Sequence, residues 1–471
     1  MSSVENWDVI VIGSGPAGQK AAVQAAKVGK RVCIVEREIG VGGACVHRGT
    51  IPSKTLRETA VHMTQLRSRI GRHVKFEIPP DLQLASLMDR MQGVVTAHVE
   101  YQTRQMVGNG IEQVHGRARF LDPHTIVVQE IRGPGRHLRG EVLVIAAGSR
   151  PRTPPGIPVD HENIYDSDSI LSMAYLPRSL AVLGGGVIAS EYATIFAALG
   201  VAVTIVDRAP RPLAFLDREI LDRFVEAFEI QPGCAFLGGA VVQSVAWNGI
   251  DGVVTKLDNG WELKTEKVLC ALGRVANVED LAIEKAGLAV NDRGHLPVDA
   301  DCRTAVPHIY AAGDVIGPPS LASASMDQGR RAMRAAFDLP TAPGSDLIPT
   351  GIYTIPEIAC VGVTEAEAAK RGPVVVGRAN FAELARGQIA GCPDGILKLV
   401  MEPTSRRLLG CQIVGEGATE LVHLAQMAMM TGSDVSMFVE RIFNFPTLAE
   451  GYRVAALDAL EKLGAAQPVA G

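Results

Sequence analysis

The chain has no apolar run approaching the length of a membrane span, no basic segment ahead of a small-residue cleavage site, and no CxxC, HExxH or paired Cys/His cluster. The first absence argues against a transmembrane segment and the second against a secretory leader. The third argues against a zinc site or a thioredoxin-type dithiol, and no metal is expected. Eight cysteines (Cys33, Cys45, Cys234, Cys270, Cys302, Cys360, Cys392, Cys411) are scattered without a dense framework, so a reducing cytoplasm is the expected location. Neither sign of charge dominates: 51 acidic against 46 Lys plus Arg residues leave a net charge of −5. That balance offers no electrostatic case for nucleic acid or an anionic membrane, and small molecules are the expected partners.

A length of 471 residues exceeds one ordinary core and predicts two to four domains. A hydrophobic content of 47%, only 5% aromatics and 49 glycines suit an α/β chain built from Val, Ile and Ala with tight βα turns.

Two segments share one plan: an apolar strand, a glycine-rich turn, an Ala-rich helix and a second strand ending in an acid. The first is WDVIVIGSGPAGQKAAVQAAKVGKRVCIVE, with Gly13, Gly15 and Gly18 in the GxGxxG positions and Glu36 at its end. The second is SLAVLGGGVIASEYATIFAALGVAVTIVD, with Gly184, Gly186 and Ala189, closing at Asp207. The interval from first glycine to terminal acid is 23 residues in both, so the copies agree in register. Gly13 and Gly184 permit the tight turn, Gly15 and Gly186 admit a pyrophosphate close to backbone N–H groups, and Gly18 or Ala189 keeps helix near strand. The helix N-terminus favours the phosphate charge. Glu36 and Asp207 are placed to accept hydrogen bonds from an adenosine ribose. An ordinary βα turn is the bland alternative for one such motif; two in register make a pair of dinucleotide folds the better reading.

Between the repeats lies a helix-rich stretch over about 52–107 and then a β-like segment ending in GEVLVIAAGSRPRTPPG, whose Pro/Gly cluster marks a domain crossing. Further on, TAVPHIYAAGDVIG reads as a short strand ending at Gly313 and Asp314, followed by a helix. The linker DLPTAPGSDLIP precedes mixed strands and helices. The expected division is 1–150 and 151–278 for the two nucleotide domains, 279–345 for a return to the first, and 346–471 for a C-terminal α+β domain.

The segment GVGGACVHRGTIPSK, with both fingerprints and the later AAGD, resembles the FAD-dependent pyridine nucleotide–disulfide oxidoreductases over nearly the whole chain. Members that reduce disulfides carry two cysteines four residues apart in this segment; here Cys45 stands at the first position and Thr50 at the second. A threonine hydroxyl forms no disulfide, so the redox dithiol is absent. Those members also carry a His-Pro-Thr run near the C-terminus, with a glutamate three residues after the threonine. This chain reads FNFPTLAE, with Phe445 in the histidine position, so no imidazole is there to exchange protons with a thiol. Glu450 with Thr447 has the spacing of a helix capping box. The stretches YDSDSILSM, PTGIYTIPEI and FNFPTLAEGYRVAAL look like the branch of the family that moves a hydride between NADPH and NAD⁺.

The resemblance implies FAD across the first fingerprint, with Glu36 on its ribose and Asp314 on its ribityl or pyrophosphate portion. It places Lys54 of IPSK near the flavin, with Glu191 as its ion-pair partner. It implies that NADP(H) and NAD(H) use Gly184, Gly186 and Ala189 in turn, in a ping-pong, Si-type transfer without a redox disulfide. It also makes the region from about 346 a dimerisation domain, and hence the chain a homodimer or larger homo-oligomer. Asp207 favours the free ribose hydroxyl of NAD(H), while Arg208 and Arg211 offer cations to a 2′-phosphate; if both are ordinary surface charges, the enzyme is an NADH diaphorase. An NAD(P)H:quinone or oxygen reductase, and a lipoamide-dehydrogenase-like subunit with a structural or sensing role, stand as the alternatives.

Overall fold

A computed structural model describes residues 4–70, 84–130, 135–341 and 347–466. The fold is α/β, with two Rossmann-like dinucleotide-binding domains and a C-terminal α+β domain. The strands of the first fold run in the order Glu112–His115, Val32–Glu36, Val4–Ile12, Arg136–Ile145, with Ile309–Ala311 beside the C-terminal half of the last. All are parallel, and Val9, Ile10 and Val11 are completely buried, as strands covered on both faces must be. The N-terminal half of Arg136–Ile145 pairs instead with Thr125–Gln129, which pairs with Arg117–Phe120, both antiparallel. One strand thus keeps Val4–Ile12 as a parallel partner along one flank while its other flank passes from a meander at the N-terminal end to Ile309–Ala311 at the C-terminal end.

The second fold repeats this plan: Ala235–Gly238, Ala202–Asp207, Ser179–Leu183, Lys267–Cys270 and Ile164–Asp166, again parallel. Its meander is Val242–Trp247, Val253–Leu257 and Glu262–Thr265. The similarity read from the glycine turns therefore extends to the strand order. The chain enters and leaves this fold through Ser149–Pro151 and Arg274–Ala276, which pair antiparallel with each other.

The helices of the 52–107 stretch are Thr50–Ile70 and Leu84–Gly108. The helix after AAGD spans Ala322–Ala336 and packs on Pro16–Lys27 so closely that a Cβ at Gly329 would lie 2.0 Å from the Ala17 carbonyl oxygen. Part of the expected linker, residues 342–346, lies outside the described residues.

The C-terminal domain is a five-stranded antiparallel sheet, in the order Thr350–Ile352, Ile358–Gly362, Leu408–Val414, Ile396–Met401, Val375–Asn380. The helix Glu450–Ala466 lies on it, with Tyr452 fully buried and a Cβ at Gly377 placed 1.8 Å from the Ala455 carbonyl oxygen. Only half of the expected capping box forms at its start. The Thr447 N–H donates to Glu450, 3.4 Å, while the Thr447 hydroxyl turns away to the Asn444 carbonyl, 2.8 Å.

A buried cation joins this sheet to the second nucleotide fold. Lys398, 2% exposed, sits 2.8 Å from Asp217, 3.1 Å from Glu219 and 2.6 Å from Glu365. Burial works against its charge, but the bonds to Asp217 and Glu365 outweigh it and raise its pKa. Burial likewise opposes the Glu219 charge, but bonds from Arg378 and Lys398 hold that carboxyl below its usual 4.5. Lys398→Met should cost about 3 kcal/mol in urea unfolding at neutral pH, near the lower end for a broken buried pair because Glu219 and Glu365 keep some solvent contact. A group with a depressed pKa stabilises above its unfolded value and loses that contribution as pH falls, so the gap between wild type and variant should narrow below pH 4.5.

Candidate active site

A continuous cleft of about 2070 Å³ runs between the two nucleotide folds, lined by both glycine turns and by Lys54, Glu191 and Asp314. Sites for one small ligand usually hold up to roughly 1,000 Å³, so this cleft has room for two dinucleotides.

The two turns are built alike. Gly13 has φ +101° and Gly184 φ +109°, and a Cβ there would come within 2.3 Å of the Ala146 and 2.6 Å of the Ala271 carbonyl oxygens. Each carbonyl follows the fourth strand of its own sheet, so the turn and that strand press together too tightly for any side chain. Gly15 and Gly186 cap the helices Pro16–Lys27 and Val187–Ala198, and a Cβ on either would meet nothing within 4 Å. An open backbone at a helix N-terminus is what a pyrophosphate requires. Gly18 and Ala189 do not line the cleft. A Cβ at Gly18 would lie 1.9 Å from the Gly13 carbonyl oxygen and Ala189 is completely buried, so both positions serve helix–strand packing.

The terminal acids hold the turns. Glu36 accepts from the Ser14 N–H at 2.9 Å and the Ser14 hydroxyl at 2.5 Å, and from the Glu38 N–H at 2.9 Å. Asp207 accepts from the N–H of Gly185 and, at 2.6 Å, from that of Ala209. Both carboxylates line the cleft. Of the two arginines weighed for a 2′-phosphate, Arg211 is paired with Asp222 at 2.7 Å. Arg208 is exposed, lines the cleft, and has no ion-pair partner among the described residues.

Lys54, one turn into the helix Thr50–Ile70, reaches Glu191 on the helix Val187–Ala198, with 2.6 Å from Nζ to Oε2. Glu191 is 7% exposed, and its other oxygen accepts the Tyr353 N–H at 2.9 Å. The Tyr353 ring lies 5.0 Å from the Lys54 ammonium. Arg57, one turn beyond Lys54 and buried, pairs with Glu357 at 3.0 Å and donates to the Thr354 carbonyl at 3.3 Å. The C-terminal domain thus closes one wall of the cleft through Tyr353, which sequence reasoning did not single out. Its signal was slight, an aromatic beside the IPE turn.

Asp314 accepts from the Ser149 hydroxyl at 2.6 Å. Arg274 donates to that hydroxyl at 2.8 Å and to the Ser149 carbonyl at 2.9 Å, and also reaches Ser167 and Asp168. Ser149 and Arg274, on the paired crossing strands, were likewise missed. A serine directly after the AAG at the end of a strand was the available clue.

Cys45 is a free thiol lining the cleft together with Thr50. Burial pushes its pKa up, against the opposing pull of Thr50 and Lys54. Phe445 does not line the cleft of its own chain and is 68% exposed on the C-terminal domain.

Two dinucleotide folds facing one cleft, with an ion-paired lysine where they meet, define a nucleotide-dependent redox enzyme. The sequence matches the pyridine nucleotide-disulphide oxidoreductase family over residues 7–329 and that family's dimerisation domain over 348–456. The chain belongs to this family, whose members are FAD-dependent and act with NAD(P)(H). It is 43% identical over 465 residues to the soluble pyridine nucleotide transhydrogenase of Mycobacterium bovis (98% of this chain, 99% of that one). It is 42% identical over 470 residues to the protein of the same name from Chromohalobacter salexigens (98% and 100%). The crystal structure of LpdA from Mycobacterium tuberculosis is 27% identical with a TM-score of 0.89, covering 96% of this chain and 99% of that one. The HOCl-induced flavoprotein disulfide reductase RclA from Escherichia coli is also 27% identical, with a TM-score of 0.86 and the same coverage. The C-terminal match is the basis for self-association, and among the described residues no helix is long and apolar enough to cross a membrane.

Because the thiolate is the reactive form and the Cys45 pKa lies above 9.0, Cys45 should react with iodoacetamide at pH 8 severalfold more slowly than an ordinary thiol. Peptide mass spectrometry of the labelled holoenzyme checks this; alkylation at the rate of free cysteine would contradict the burial.

Proposed function

We propose that this enzyme transfers a hydride from NADPH to NAD⁺ by way of bound FAD, in a ping-pong sequence that involves no disulfide. The observation that carries the reading is the Lys54–Glu191 pair, 2.6 Å apart in the shared cleft, standing near a Cys45 whose disulfide partner's position is taken by Thr50.

The open turn at Gly13 and Gly15 suits the FAD pyrophosphate, Glu36 its ribose, and Asp314, braced by Ser149 and Arg274, the chain between phosphate and ring. FAD, when bound, supplies the hydride acceptor and donor. Lys54, held by Glu191 and covered by Tyr353, presents a fixed positive charge to the ring system in a partly desolvated site, where such a charge is most effective. Neither residue has to gain or lose a proton. The Gly184–Gly186 turn, Asp207 and Arg208 accept the nicotinamide nucleotides in turn, so the first product leaves before the second substrate binds. With Thr50 and Phe445 in place of the second cysteine and the histidine, there is no dithiol to drain electrons toward a disulfide and no imidazole to exchange protons with one. The division at 150/151, 278/279 and 345/346, with a homodimer formed through the last domain, fits the same reading.

The test is anaerobic stopped-flow absorbance: holoenzyme is reduced with NADPH and then mixed with NAD⁺. Bleaching followed by recovery of the flavin band with stoichiometric NADH supports the proposal. Reduction by NADH alone, or recovery only with quinone or oxygen, assigns the chain as a diaphorase, and no turnover at all as a structural or sensing subunit. Lys54→Met should lower the rate of reduction by NADPH about a hundredfold, the scale expected for loss of one preorganised charge, and should shift the flavin absorption maximum.

A further inference from the structure

Phe215 is an anomaly of burial. It lies between strand Ala202–Asp207 and helix Arg218–Glu229, in a loop whose two leucines are inside: Leu213 is 2% and Leu216 7% exposed, packed against Ile220, Phe224 and Ile352. Phe215 is 56% exposed and lines the cleft. The loop is firmly held. The Leu213 N–H donates to the Gly185 carbonyl at 2.7 Å, and the Leu216 N–H to the Leu213 carbonyl at 2.9 Å. Leu213 adopts φ +49°, a conformation a leucine keeps only where its surroundings enforce it. Gly185 in turn donates its N–H to Asp207. A short chain of bonds therefore fixes the ring's loop to the glycine turn and to Asp207, next to the exposed Arg208.

Resting on the function proposed above, we infer that Phe215 is a stacking platform for the adenine of the nicotinamide nucleotides. The chemistry fits. A large apolar ring held open to the cleft has a flat face for a purine, and base–aromatic stacking tolerates either nucleotide because both carry adenine. Stacking also complements Asp207 and Arg208, whose charges discriminate between a 2′-hydroxyl and a 2′-phosphate. An uncharged platform grips both substrates alike, as an enzyme that must bind them alternately requires.

Two measurements on holoenzyme test this. By isothermal titration calorimetry, Phe215→Ala should weaken ADP-ribose and 2′-phospho-ADP-ribose by a similar factor, about tenfold, and Phe215→Trp should restore the affinity. In steady-state kinetics the alanine variant should raise KM for NADPH and NAD⁺ with little change in kcat, while KM for reduced nicotinamide mononucleotide, which lacks adenosine, should not move. Unchanged affinity for both ADP-ribose ligands, or an equal loss with the mononucleotide, would overturn the inference. Because the calorimetry needs no turnover, its outcome is independent of whether the enzyme proves to be a transhydrogenase.

Discussion

The carboxylate of Glu191 has two oxygens, and each is bound to a different part of the chain. One takes the ammonium of Lys54 from the first nucleotide domain, and the other takes the Tyr353 N–H from the C-terminal domain, while the residue itself belongs to the second nucleotide fold. Three parts of the chain thus converge on one nearly buried group. A carboxylate so placed is tolerable only when its lone pairs are filled by strong donors. Relative placement of the domains and the charge state of the cleft are therefore the same problem, solved at one residue. The Arg57 bonds to Glu357 and the Thr354 carbonyl, together with the Ile355 N–H donated to Thr194, act in the same place and keep the third wall from drifting.

What was legible in the sequence is what short-range geometry demands. Gly13 and Gly184 are needed because a carbonyl crowds the turn; Glu36 and Asp207 because the strand must end where the next backbone N–H groups need an acceptor. These constraints act within one βαβ unit and leave their mark at fixed spacing. Lys54 and Glu191, far apart in sequence, were legible only through the family resemblance, Lys54 from the IPSK motif and Glu191 from its place just past the second fingerprint. Tyr353, Arg274 and Lys398 left no comparable mark, since their partners lie on other domains and nothing local distinguishes them from surface or core residues. Arg211 shows the converse. It is close to Asp207 along the chain, but Asp222 on the following helix neutralises it, a contact that charge counting near a motif does not see.

The two nucleotide folds also show how far a repeat can diverge while keeping its physics. The third motif position is glycine in one and alanine in the other, and the first is packed so tightly that a methyl group would overlap the Gly13 carbonyl. Both meanders survive as antiparallel additions, yet one shares a strand with its parallel sheet and the other stands as a separate three-stranded sheet. The sheet order, not the identity of any one side chain, is the more durable feature.

The strand Arg136–Ile145 has a consequence for how the molecule is made. Its last parallel partner, Ile309–Ala311, is reached only after the whole second nucleotide fold has been synthesised. On the ribosome the first sheet therefore waits with one flank open while a complete second domain forms in the interval. The antiparallel pairing of Ser149–Pro151 with Arg274–Ala276 brings the two ends of that domain together, turning a long and entropically costly closure into a short one. The second domain is in effect the template on which the first is finished.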